Sequence, residues 1–71
     1  MKQITIYFVG NEHKYFRIED VGRTNSVSEE TLLDIKAWLE KDTNEPLKVL
    51  KNDGAGVVLL KQNILYAEWK N

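Results

Sequence analysis

The chain has no cysteine, one proline and one histidine. Without thiols there is no disulfide framework, no thiolate zinc site and no cysteine catalysis. The lone histidine, His13, lies between Glu12 and Lys14 in a polar stretch and reads as a solvated turn residue. A metal site would need several further donors converging on it, and no such spacing is present. An excess of one charge is missing too. Ten Lys+Arg against eleven Asp+Glu leave a net charge of -1, which is no footprint for non-specific nucleic-acid binding through phosphate neutralisation. No segment approaches the ~20 apolar residues of a membrane helix. The opening run is interrupted by Gln3 and Thr5, and a charged turn follows, so it does not read as a signal peptide. These absences lead us to expect a cytoplasmic protein away from membranes. Because the chain opens on Met1, we also expect a complete small protein.

What is present is an ordinary globular composition, 42% hydrophobic and 30% charged. Seventy-one residues allow one domain, residues 1–71, and no second. A chain of this size buries only about 60% of its unfolded surface, so its core is marginal.

Residues 3–9 alternate, with Ile4, Ile6 and Phe8 on one side and Thr5, Tyr7 and Val9 on the other, which predicts a strand. After a turn at residues 10–13, residues 14–18 return as its hairpin partner. Residues 19–27 carry Gly22, Thr24, Asn25 and Ser26 without periodicity and read as a loop. Ser28 is a helix cap, with Glu29 and Glu30 at the positive end of the helix dipole. Val27 and Leu32 have the spacing of a hydrophobic staple, and Ser26 with Glu29 offers a rival capping box. Leu32, Ile35, Trp38 and Leu39 then form one apolar stripe, the buried side of a helix of about 13 residues. Trp38 and Leu39 are expected to anchor it.

Pro46 starts an extended region, and residues 47–52, 57–60 and 64–69 read as three strands. The Asp53-Gly54 pair supplies the turn between the first two. The element order is ββαβββ. The first and fourth strands are apolar on both faces and belong inside a sheet. The second and third carry Lys14, Arg17, Pro46, Lys48 and Lys51, which suit edges. The expected fold is therefore α+β: a five-stranded antiparallel sheet of order 2-1-5-4-3 with one helix on one face.

Catalytic constellations are absent from this pattern. Gly54-Ala55-Gly56 is followed by a strand, whereas a phosphate cradle needs a helix N-terminus there. Ser26 and Ser28 have no base nearby and are explained by capping. Glu12, Glu19 and Asp20, or Glu29 and Glu30, could pair as carboxylates, but a 71-residue domain with one helix has little room for the cleft such chemistry needs. No cofactor is expected.

The informative feature is an apolar surplus. One helix cannot cover both faces of the sheet. The uncovered face would hold Tyr7, Val9 and Tyr15 with half of the fourth and fifth strands, a patch on the order of several hundred Å² of the kind that marks an interface. A strongly curled sheet is the alternative cover.

The closing segment Asn63-Ile64-Leu65-Tyr66-Ala67-Glu68-Trp69 and the acidic helix end Ala37-Trp38-Leu39-Glu40 set the style of the whole chain. In that style it resembles the short Lys/Asn/Glu/Ile-rich proteins encoded in prophages and mobile elements of low-GC Gram-positive bacteria. The resemblance carries no functional residue across.

The expectation is a non-enzymatic protein-interaction or regulatory protein, a homodimer that also meets another protein. Its candidate interface is Tyr7, Tyr15, Arg17, Val58, Leu60 and Tyr66. The alternative is a small nucleic-acid-binding accessory protein stacking bases on Tyr7 and Tyr15 beside Arg17.

Overall fold

The computed structural model describes residues 1–18 and 25–71. The expected loop over residues 19–24, with Glu19 and Asp20, lies outside the described residues. Five strands and one α-helix follow in the expected sequence: β1 Gln3–Phe8, β2 His13–Arg17, α1 Glu29–Glu40, β3 Leu47–Leu50, β4 Gly56–Leu59 and β5 Ile64–Lys70, with a 3-10 turn at Lys61–Asn63 before β5.

The strands form two antiparallel sheets rather than one. β2, β1 and β5 make the first, in that order, and β3 pairs with β4 alone. The neighbours 2-1-5 agree with the expected order, but the expected pairing of β5 with β4 is not made. Three bonds account for this. The Lys61 ammonium donates to the carbonyl oxygens of Trp38 at 2.6 Å and of Lys41, pinning the chain after β4 to the C-terminal end of α1. The Val9 N–H then donates to the Asn63 carbonyl at 2.8 Å, delivering the chain to the far edge of β1. The turn at Lys61–Asn63 thus leads β5 onto β1 and not back onto β4.

Nor is β2 a bare edge. Arg17 makes a parallel bridge with Ser26: its N–H donates to the Asn25 carbonyl, and its own carbonyl accepts from the Val27 N–H at 2.9 Å. The Ser26 carbonyl in turn accepts from the Asn52 N–H, and the Ser26 hydroxyl from the Asn52 amide, both at 2.8 Å. Residues 25–27 therefore join the outer edge of β2 to the end of the β3–β4 hairpin. Ser26 is buried by this role, which replaces the capping box considered for it.

The helix starts where its cap predicts. The Ser28 hydroxyl accepts from the Thr31 N–H, and both members of the staple, Val27 and Leu32, are fully buried. At the other end α1 has no basic residue in its last turn. Lys61 brings that charge from a distant part of the chain, with its ammonium 5.1 Å from the centre of the Trp38 ring.

The core is where three surfaces meet: Ile4, Ile6 and Phe16 from the first sheet, Val27, Leu32, Ile35 and Trp38 from the helix and its entry, and Val49 and Leu59 from the hairpin. The helix packs on both β1 and β3. Leu39 is only half-buried against this core, so the stripe is anchored by Leu32, Ile35 and Trp38. The Trp38 indole N–H reaches the Glu45 carbonyl at 2.8 Å, which gives its polar atom a partner. At the hairpin turn Gly54 takes φ 88°, and the Asp53 carboxylate accepts from the Ala55 N–H at 2.9 Å, as the Asp-Gly pair implies.

Candidate interaction surface

Register decides which side chains share a face. On the first sheet Thr5 lies between Tyr15 and Glu68, and Tyr7 between His13 and Tyr66. Gln3, Thr5 and Tyr7 therefore share the outer face with Tyr15, Arg17, Tyr66, Glu68 and Lys70, while Ile4 and Ile6 turn inward. Tyr7 stacks on Tyr66 with ring centres 4.5 Å apart and meets His13 at 5.8 Å. Desolvation raises the Tyr7 hydroxyl above its ordinary pKa, and the neighbouring Glu68 carboxylate adds to the shift by disfavouring a second negative charge.

The candidate interface is thereby split. Tyr7, Tyr15, Arg17 and Tyr66 lie on the outer face of the first sheet. Val58 and Leu60 lie on the outside of the hairpin, where Leu50 and Lys48 adjoin them. The first of these faces is more polar than expected, because Gln3, Thr5, Glu68 and Lys70 interleave with the aromatics. Arg17 and Lys70 share it with the acidic Glu68, so its charges alternate. The apolar surplus is present, but it is spread over separate surfaces.

A further concentration lies along β5. Leu65 is 60% exposed, Tyr66 54% and Trp69 58%. Ile64, Leu65, Ala67 and Trp69 form one wall of a groove of about 330 Å³, and Leu39 of α1 lines the other side. Lys36 of α1 pairs with Glu40 and sits 5.0 Å over the Trp69 ring. Of the three charged residues that line the groove, Lys36 and Glu40 satisfy each other, and the Lys61 ammonium is held by the Trp38 and Lys41 carbonyls, so the rest of the lining is mainly apolar. Such a site holds apolar side chains better than a polar substrate, for which convergent unpaired groups would be needed. The outer edge of β5 has no strand partner among the described residues.

Leu65 and Trp69 were absent from the sequence-based interface. The available signal was that residues 65, 67 and 69 carry no charge, which would have drawn attention to that side of β5 had its edge been known to be open. Among the described residues no three His, Asp or Glu side chains are grouped to hold a metal ion, and no helix is long and apolar enough to cross a membrane. No family model, curated protein or solved structure matches this chain.

Proposed function

We propose that this chain is a non-enzymatic interaction protein that self-associates, and that β5 with its adjoining groove is the surface it uses. The observation that carries the reading is the joint exposure of Leu65, Tyr66 and Trp69 on a strand whose outer edge has no strand partner among the described residues. A monomeric protein of this size keeps few large apolar side chains together in water, and it blunts its strand edges with charge or proline. Here the groove side of the edge is Leu65, Ala67 and Trp69, none of them charged. The reading places the chain in the cytoplasm, among the mobile-element proteins it resembles in style. The test is the mass of the untagged protein by sedimentation at about 50 µM, far above the dissociation constant of a stable dimer. A mass twice 8.3 kDa is expected, and 8.3 kDa itself would overturn the reading.

A further inference from the structure

We infer that the occupant of the β5 edge is the β5 strand of a second copy, paired antiparallel about a two-fold axis through Ala67. This rests on the self-association proposed above and adds its register.

The argument comes from self-complementarity. A two-fold axis perpendicular to the sheet opposes residues of the same face in the two copies. Centred on Ala67, it sets Leu65 against the partner copy's Trp69 and Trp69 against its Leu65. On the other face each Tyr66 meets a Glu68, so a phenol lies beside a carboxylate. Cross-strand pairs of this kind stabilise a sheet, whereas like charges directly opposite destabilise it.

The neighbouring registers fail on charge or on apolar pairing. Centring on Glu68 opposes that carboxylate to its own copy. Centring on Tyr66 moves Trp69 opposite Asn63, in the turn before β5, and Leu65 opposite Ala67. Only the Ala67 register pairs both large apolar residues and separates both glutamates. The small residue lies on the axis, with the large ones at either end. The irregularity between β1 and β5, where Leu65 is skipped in the pairing, leaves the three central positions regular and falls on Leu65 itself, at the end of the apolar pair. Pairing in this way would continue the first sheet from three strands to six and bring the two apolar grooves side by side. A dimer of ordinary stability buries about 800 Å² per copy, about a sixth of the 5029 Å² exposed here.

The absence of cysteine makes the register directly readable. Opposed residues in an antiparallel pair have Cα atoms about 4.5–5.5 Å apart, within disulfide range, whereas residues one step off the axis do not meet their own copies. Ala67→Cys should form a covalent dimer under mild oxidation about tenfold or more faster than Glu68→Cys does. Trp69→Glu, at an exposed position, should keep the wild-type circular dichroism spectrum and sediment as a monomer. A wild-type monomer would sink both the self-association and this inference. A wild-type dimer in which Ala67→Cys links no faster than Glu68→Cys, or in which Trp69→Glu remains dimeric, would overturn the β5 register and leave self-association through another face.

Discussion

Along the outer edge of β2 the chain supplies its own cover, and along the outer edge of β5 the described residues supply none. Both edges belong to the same three-stranded sheet. On the β2 side, residues 25–27 add a parallel bridge, and Ser26 carries the connection on to Asn52 and the hairpin. The inward aromatic of β2, Phe16, is completely buried. On the β5 side the aromatic in register on the same face is Trp69, more than half exposed, with Lys36 over its ring. The first edge is part of how the chain holds itself together. The second packs Ile64 and Ala67 against the core and leaves Leu65, Tyr66 and Trp69 exposed.

The sharpest way to break this comparison is to truncate an aromatic at the closed edge. Phe16→Ala removes a fully buried ring and should cost about 3–5 kcal/mol. That is close to the whole stability of a domain this small, about 5 kcal/mol. The variant should be largely unfolded at room temperature by near-ultraviolet circular dichroism. A native spectrum with a melting temperature within a few degrees of wild type would mean that β2 is not part of the core.

Much of this was readable in the chain. The first hairpin follows from alternation over Ile4, Ile6 and Phe8, the helix from Ser28 and the Val27–Leu32 staple, and the second hairpin from Asp53-Gly54. All are local signals, acting across a few residues. The division into two sheets was not readable, because the groups that cause it are far apart in sequence. Nothing near Lys61 announces that its ammonium will close a helix ending about twenty residues earlier, and Ser26 reads as a cap until Asn52 is brought beside it. The same limit applies to the candidate surface. Lys, Arg and Pro set the second and third strands at the edges and so the fifth inside the sheet, whereas β5 is an edge of the first sheet.

Two intermediate effects sharpen the comparison. Ser26→Ala leaves the Asn52 amide without its acceptor, and because Asn52 is exposed the amide recovers a water partner, so the expected cost is about 1 kcal/mol. Hydrogen exchange of the Val27 and Asn52 amides should accelerate if this segment is what closes the β2 edge, and unchanged exchange there would argue against it. Lys61→Met removes the charge from the helix C-terminus and should also cost about 1 kcal/mol by urea titration. Unchanged stability would show that the ammonium is not what holds β5 away from β4.

At the open edge the stability effect should be smaller still. Trp69→Ala loses mainly its contact with Lys36, about 0.5–1 kcal/mol at an exposed site. Unfolding should be compared below about 1 µM, where mass action no longer stabilises a dimer. A cost there as large as that of Phe16→Ala would place Trp69 in the core and remove the distinction between the edges.

The smallest effect concerns how β5 is held from its inner side. Tyr7 stacks on Tyr66 of β5, and its hydroxyl is raised above the ordinary value by desolvation and then by Glu68. Below about pH 10 the phenol is neutral in the folded and unfolded chain alike, and its titration makes no difference to stability. Above that pH the unfolded chain releases the proton first. The folded state then retains a proton that the unfolded state has lost, and stability falls as pH rises. Tyr7→Phe keeps the stacked ring and deletes the ionisation. Its urea midpoint should therefore decline less steeply than that of wild type between pH 9 and 11, with the two curves parallel at neutral pH. Equal slopes throughout would mean that neither desolvation nor Glu68 raises the Tyr7 hydroxyl, and that the backbone and the stacked rings hold β5 to β1 without it.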